Sequence, residues 1–581
     1  VRLREAHIHN FRGIIDQTIC FEPYCLLVGP NNAGKSTVID ALRAFYEKDG
    51  FKYKRETDFP CAGSEDQEVW LELTFQLALA EHESLEEPYQ TANFQLRLRK
   101  YLQGPKDKTG QVFGYDPGGL ASKPFSGWKS MQSGSDIIYV PAISKVDDHT
   151  KLTGPSALRD LLASILGDII ADSKAYADLR DSFTNFAAAL RPESNPDGRS
   201  LDRLEEDLND LLRPWRATVT FDFVPPPAAE IVKTLLQWDL HDEEHGQKQP
   251  IENCGSGFQR HFIYSLIGLG ARYAAGRRAT VAKDNAFCAS FNLLLFEEPE
   301  AFLHPPQQEN LARSLRSLAR GQDWQVVCAT HSAHFVSRNA DDIPALVRLE
   351  RQDAKVSVYQ ISRESWSQIA DANSLINNIA EKYPKMRRRL GQDDWKPEME
   401  IVKHFLWLNP DRACVFFANH VVLVEGLTEV ALINKLLGDG RIATDDAGIY
   451  VLDCVGKYNI HRFMNLLSAL HIQHAVIHDE DGDGDQHAEL NALIDDTAHP
   501  ELTMCVKRLV PKLETVLGVP SARADHRKPQ HMLFHYVSGQ IDDAKLNDFC
   551  KLVHSCFPGA VPVGPPLAAA LPDDETTAGR A

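Results

Sequence analysis

Four acids carry the chemistry that matters most in this chain. Glu425 and Glu429 lie in Glu425-Gly426-Leu427-Thr428-Glu429, and Asp479 and Asp481 lie in Asp479-Glu480-Asp481. Each pair follows an apolar stretch, Val421 to Val424 and Ile472 to His478, that reads as a buried parallel strand. Strand ends along one edge of an α/β sheet are where ligands and catalytic groups gather. Carboxylates placed in one crevice repel one another unless a counter-charge is supplied. A hard divalent cation, with its preference for oxygen, supplies it. The pattern therefore predicts a magnesium or manganese site. Two other readings fit part of the same acids. Asp479, Asp481, Asp483 and Gly484 match the first half of an EF-hand calcium loop, but Leu490 stands where its closing glutamate belongs. A solvated acidic turn is the other, since Asp-Gly repeats are common in turns.

A second chemistry lies near the start. Gly29-Pro30-Asn31-Asn32-Ala33-Gly34-Lys35-Ser36 fits the phosphate-loop pattern; it follows the apolar Leu26-Leu27-Val28 and opens a helix carrying Val38, Ile39, Ala41, Leu42 and Phe45. Glycines let backbone N–H groups face phosphates at the positive end of that helix. Gly29, Asn32, Gly34, Lys35, Ser36 and Thr37 are the expected nucleotide-binding residues, with Lys35 on the β- and γ-phosphates and Ser36 on Mg²⁺. Asn292 to Phe296 is an apolar run ending in Glu297 and Glu298. One acid can hold the Mg²⁺ and the next, Glu298, can polarise the attacking water. Gly255-Ser256-Gly257-Phe258-Gln259 gives a glycine turn, with Gly257 and Gln259 the candidate nucleotide contacts, and His331 in Cys328-Ala329-Thr330-His331-Ser332 sits where a γ-phosphate sensor belongs.

The elements that must position these groups can be sketched along the chain. Residues 1–150 read as the first part of an ATPase domain, with an exposed excursion rich in Gly, Pro, Lys and Ser over 100–135 and a short strand at Ile137 to Val140. Residues 151–228 read as a helical insert, with Leu158, Leu161, Leu162, Ile165, Leu166 and Ile169 on one face and Leu201, Leu204, Leu208, Leu211 and Leu212 on another. Ordinary packing and dimerisation both suit that insert. The ATPase domain resumes over 229–360, a charged helical connector covers 361–418, a second α/β domain covers 419–556, and 557–581 reads as a disordered tail.

Bulk properties set the outer limits. The chain has 581 residues and a formal net charge of −19, so its overall charge does not point to nucleic acid. DNA binding has to come from local basic patches, such as Lys385 to Arg389 or Arg523 to Lys528. The eleven cysteines show no C-x-x-C pair, which suits a reducing cytoplasm. No apolar run is long enough and charge-free enough to span a bilayer.

Taken in order, the first set of motifs, with Ile8-His9-Asn10-Phe11-Arg12-Gly13, resembles an ABC-type ATPase of the kind found in SMC and RecF proteins. Glu297 stands where that group has an aspartate, and 255–259 matches its signature loop. The second set resembles a Toprim domain. Glu425, Glu429, Asp479 and Asp481 match its E-G-x-x-E and D-x-D patterns, Gly456-Lys457-Tyr458-Asn459 is similar to its glycine turn, and Glu514 resembles a further ligand. The two sets in this order resemble the OLD (overcoming lysogenisation defect) nucleases, with a layout similar to the Gabija nuclease subunit. The resemblance implies an α/β fold with an ABC-type ATPase followed by a Toprim domain, and a metal-dependent DNA endonuclease regulated by nucleotide and active in anti-phage defence. It implies ATP as a cofactor and two Mg²⁺ or Mn²⁺ ions that activate water and stabilise the leaving oxygen. Glu425 and Asp479 become catalytic as well as ligating, and Lys528, before Pro529, becomes the cation beside the reacting phosphodiester. DNA, a dimer or tetramer of the chain, and a helicase-like or other defence partner are the implied partners. Rival readings are a DNA-repair ATPase of the SMC/RecF kind that binds without cutting, a topoisomerase or primase, and a transporter ATPase.

Overall fold

The computed structural model describes residues 1–142, 173–235, 291–389 and 407–557, apart from breaks at 48–49, 62, 195–197, 322–323, 443–448 and 483, with isolated residues in between. These fall into two compact units. One is built from 1–7, 38–58 and 66–329, the other from 8–37, 59–65 and 330–581.

In the first unit, strands Val69–Gln76, Gln95–Gln103, Val112–Asp116 and Gly119–Pro124 pair antiparallel in sequence order. This corrects the expectation of an exposed excursion over 100–135. Val112, Phe113, Phe125 and Met131 are buried there, and Trp128–Gly134 is a helix. The strands are so short, and their turns so rich in Gly and Pro, that composition reads as loop while the alternate apolar residues still reach the core. A second group of strands, Asp136–Val140, Asn292–Glu297 and Trp324–Ala329, pairs in parallel with Asn292–Glu297 in the middle. Its residues Leu293 to Phe296 are almost wholly buried, as a central strand covered on both faces requires. The amphipathic helix Pro305–Arg320 links the last two strands and turns Leu311, Ala312, Leu315 and Ala319 inward. In the insert, Leu201–Leu212 is a helix capped by the Ser200 hydroxyl, and Lys174–Leu190 is a further helix. The apolar face expected over Leu158 to Ile169 lies almost entirely outside the described residues, as does the tail from 558.

In the second unit, Tyr24–Val28 runs parallel to Leu346–Gln352, which turns back through Asp353 and Ala354 into Lys355–Gln360. Both turn residues have positive φ (47° and 69°), the pattern of a two-residue hairpin turn. Arg348 in this hairpin is fully buried. Its Nη1 donates to the carbonyls of Leu470 (3.2 Å) and His471 (3.1 Å) and to Glu350 (3.1 Å). Tyr359 of the returning strand stacks on the His471 ring at 4.3 Å.

The connector is helical at Arg363–Asn373, Leu375–Lys382 and Pro384–Arg389. Ile376, Ile379, Ala380 and Met386 pack against Leu490. The α/β domain that follows is a four-stranded parallel sheet in the order Ile449–Asp453, His420–Val424, Gln473–Asp479, Thr503–Leu509. Helices Leu427–Gly438, Ile460–Ala469, Asp485–Asp496, Lys528–Val537 and Asp543–His554 accompany it. The first and third strands of this domain are neighbours, so the chain reverses its direction of travel between them. That switch point opens a crevice at the carboxyl ends of His420–Val424 and Gln473–Asp479.

Candidate active site

Glu425 follows one of those two strands and Asp479 ends the other. The Asp479 N–H donates to Glu425 Oε1 at 2.8 Å, which ties the two loops together. Asp479 Oδ1 in turn accepts the N–H of Leu513 at 2.9 Å, at the start of the short helix Leu513–Leu517 that carries Glu514. Glu429 lies in the first turn of Leu427–Gly438 and reaches back to the N–H of Gly426 at 3.2 Å. Asp481 has φ 64°, is followed by Gly482 at φ 79°, and its N–H donates to the Pro511 carbonyl. Two successive left-handed residues turn the chain sharply there, and glycine takes the second at no steric cost. Glu429 and Glu514 are buried, Glu425 and Asp479 are partly covered, and Asp481 sits at the solvent edge.

The electrostatics follow from that packing. Burial, then the charges of Asp479 and Asp481, push Glu425 up to about 8, with Glu429 adding to the rise and Lys457 opposing it. Burial, then Asp479 and Glu514, push Glu429 up to about 7. Burial raises Asp479 to about 6, with Asp481 and Glu514 adding to it and the Leu513 N–H and Lys457 opposing it. Every one of the five acids therefore appears in the field of another. The donor set is all oxygen, shielded and mutually repelling, which fits a hard divalent cation. Among the described residues, no three carboxylate, imidazole or thiol groups are arranged to enclose an ion directly. Glu514 pairs with Lys512 at 3.9 Å, the carboxylates of Glu425, Glu429 and Asp479 are turned onto backbone N–H groups, and that of Asp481 onto a buried lysine.

That lysine was not among the residues singled out as functional from sequence. Lys457 is 5 % exposed, and its ammonium donates to Asp481 Oδ2 at 3.0 Å and to the Asp479 carbonyl. Gly456 before it has φ 101°, and its N–H donates to the Glu425 carbonyl at 2.6 Å. The glycine turn was the available signal, read for its backbone and not for its cation. Lys528 opens the helix Lys528–Val537 and pairs with Asp525 at 3.1 Å. Burial lowers its proton affinity, but the bond to Asp525 and the charges of Asp525, Glu514 and Asp479 outweigh this and raise it. It thus faces the same acids, still 43 % exposed.

The three raised acids predict a pH dependence. Their carboxyls keep protons in the folded chain at pH values where the unfolded chain, near 4, has lost them. Their contribution to stability is full below about pH 4 and is lost as pH rises through about 6, 7 and 8. Glu425→Gln keeps the acceptor for the Asp479 N–H and removes one charge. In EDTA, its melting temperature relative to wild type is expected to climb steadily between pH 5 and pH 8.5, and a flat difference refutes the assignment.

The phosphate loop lies in the second unit. Gly29 and Gly34 have φ 135° and 101°, and a Cβ at Gly29 would stand 2.2 Å from the Leu349 carbonyl. Only glycine suits that position. Lys35, the first helical residue, is buried with its ammonium on the carbonyls of Gly29 (2.8 Å) and Pro30 (2.9 Å). Ser36 is exposed and Thr37 buried. Asn32, at φ 62°, accepts from Arg351 at 3.1 Å. His331 is exposed just beyond Thr330, whose N–H donates to the Leu27 carbonyl. In the first unit, Glu297 accepts from the Tyr139 hydroxyl at 3.0 Å, and Glu298 has φ 43° with its N–H on the Ala329 carbonyl at 2.8 Å. Burial, then the charge of Glu297, raises the Tyr139 hydroxyl, which keeps it a donor. Gly257 and Gln259 lie outside the described residues.

The comparisons with known proteins match two parts of the chain. A family described as "AAA ATPase domain" matches residues 2–123 and 134–336, and "Overcoming lysogenization defect protein-like, TOPRIM domain" matches 416–481. The Old nuclease of Escherichia phage P2 is 23% identical over 502 residues, covering 83% of this chain and 77% of that protein. The OLD nuclease of Thermus scotoductus is 22% identical over 493 residues, covering 82% of each. Endonuclease GajA of Bacillus cereus is 23% identical over 305 residues, 50% of this chain and 39% of that protein. Glu514 and Lys528 lie beyond the TOPRIM match, so their placement rests on the geometry above. Among the described residues, no helix is long and apolar enough to cross a membrane.

Proposed function

We propose, from the premise that this chain belongs to the AAA ATPase domain family, that it is a metal-dependent DNA endonuclease. Its cutting site is the acidic crevice at the end of the four-stranded sheet, and its ATPase domain regulates access to that site. The observation that carries this reading is the gathering of Glu425, Glu429, Asp479, Asp481 and Glu514 at one switch point, with three of them pushed up toward neutrality. These acids fit a pair of Mg²⁺ or Mn²⁺ ions, which when bound supply Lewis acidity and an activated water. The chain's own contribution is positional. The N–H groups of Asp479, Leu513 and Gly426 aim the carboxylates, and Lys528 presents a positive charge to the reacting phosphodiester.

In the ATPase half, Lys35 and Ser36 serve the nucleotide phosphates and their Mg²⁺, Glu297 the Mg²⁺ shell, and Glu298 the attacking water. Asn32, Thr37 and His331 serve the nucleotide as well, and Gly257 and Gln259 are its expected further contacts. A homodimer or tetramer, a helicase-like or other defence partner and a role against phage are further parts of this proposal.

Supercoiled plasmid incubated with the full chain and Mn²⁺ tests the reading. Nicked or linear product, abolished by EDTA and altered by ATP, is the expected result. ATP hydrolysis with no Mn²⁺-dependent cutting would instead select the repair-type ATPase that binds without cleaving.

A further inference from the structure

Lys457 is a buried cation in the middle of an acidic cluster, and nothing in the proposed chemistry uses it. Two observations fix its place. Its backbone is held by a turn whose Gly456 N–H bonds the Glu425 carbonyl, and it opens the single turn Lys457–Asn459 ahead of the helix Ile460–Ala469. Its ammonium is committed to Asp481 Oδ2 at 3.0 Å and to the Asp479 carbonyl. The sequence of contacts thus runs from one carboxylate loop, Glu425, through the lysine to the other, Asp479 and Asp481. A buried ammonium is costly unless it is paired, and buried carboxylates are costly unless neutralised. Here each offsets the other's cost.

We propose that Lys457 is the resident counter-cation of this site. It balances the acids while no divalent ion is bound, and it must release Asp481 before that oxygen can ligate one. The inference rests on the reading of the crevice as a divalent-cation site. It follows from charge and reach. A lysine side chain is long and flexible, while its Cα here is fixed by the glycine turn, so the ammonium can withdraw by rotamer change without moving the carboxylates. The exchange of one charge for two leaves Glu425, Glu429, Asp479 and Glu514 in place. The lysine therefore lowers affinity for the ion and prevents the empty crevice from flying apart. A phosphate-contacting role, in which Lys457 binds the DNA backbone and not the acids, predicts no gain in ion binding when the lysine is removed.

The test uses the full chain without DNA. Mn²⁺ uptake is read from the electron paramagnetic resonance signal of the free ion, and melting is followed in EDTA and in saturating Mn²⁺. Wild type is expected to bind Mn²⁺, and Asp479→Asn to lose that binding. Lys457→Met is expected to bind at least about tenfold more tightly, the lower end of what one opposite charge at this range does to a carboxylate's proton affinity. It should melt below wild type in EDTA and regain the difference in Mn²⁺. Should Lys457→Met be recoverable only in Mn²⁺ buffer, its unfolding on chelation is the same result read another way. Lys457→Arg keeps the charge and is expected to stay within about threefold of wild type. No uptake by wild type overturns the metal reading and this proposal with it. Uptake by wild type, with Lys457→Met equal or weaker, overturns the proposal alone.

Discussion

Asp479→Asn is expected to lower Mn²⁺-dependent DNA cleavage by roughly 10³-fold or more, the scale of several kcal/mol of Lewis-acid stabilisation. Nucleotide turnover should survive. The asparagine is chosen because Asp479 does two things at once. Its Oδ1 accepts the Leu513 N–H and its backbone N–H holds Glu425. Asn keeps both bonds and removes only the charge, so loss of cleavage is not loss of the fold. None of these partners belongs to the phosphate loop, which is why ATP hydrolysis serves as the internal control. Removing the Asp479 charge should also let Glu425 fall from about 8, since that charge is the largest contribution to its rise after burial. Cleavage within tenfold of wild type at saturating Mn²⁺ would refute the assignment.

Glu298→Gln is expected to retain nucleotide binding and to lose hydrolysis by roughly 10²–10⁴-fold, the usual worth of a general base. Glu298 is placed for that work by an unusual backbone. It follows the buried strand Asn292–Glu297 and takes φ 43°, a conformation non-glycine residues seldom adopt, anchored by its N–H on the Ala329 carbonyl. Its neighbour Glu297 is instead turned to the Tyr139 hydroxyl. The sharp turn gives two successive acids different surroundings, as separate duties require. Gln is nearly isosteric, so a fluorescent nucleotide should bind with little change while phosphate release falls. Binding lost together with hydrolysis would make Glu298 a structural or Mg²⁺-shell residue.

How much of this was legible in the sequence depends on range. The phosphate loop is a local device: glycines at fixed offsets, a strand before and a helix after, all within one short stretch. The acidic pairs were legible for the same reason, each sitting at the end of an apolar run. The closeness of Glu425 to Asp479 followed from a general rule about parallel sheets, although the strand order that makes them neighbours could not be read from either segment. Lys457 escaped because its meaning is not local. A lysine after a glycine reads as a solvated turn residue, and only the packing of Gln473–Asp479 beside its turn buries it. Short antiparallel strands at 112–124 were hidden by their own turns. The helical face expected at 158–169 lies almost entirely outside the described residues, as does Gly257 of the glycine turn.

Arg348 holds the carbonyls of Leu470 and His471, the corner between the helix Ile460–Ala469 and the strand Gln473–Asp479. That corner is a shared fulcrum. One arm leads back along the helix to Lys457, the cation of the crevice; the other leads along the strand to Asp479, one of its acids. The same hairpin strand places the Leu349 carbonyl against Gly29 and Arg351 on Asn32 of the phosphate loop. That strand therefore meets the phosphate loop through Leu349 and Arg351 and the common corner of both arms through Arg348, three successive or nearly successive residues of one element.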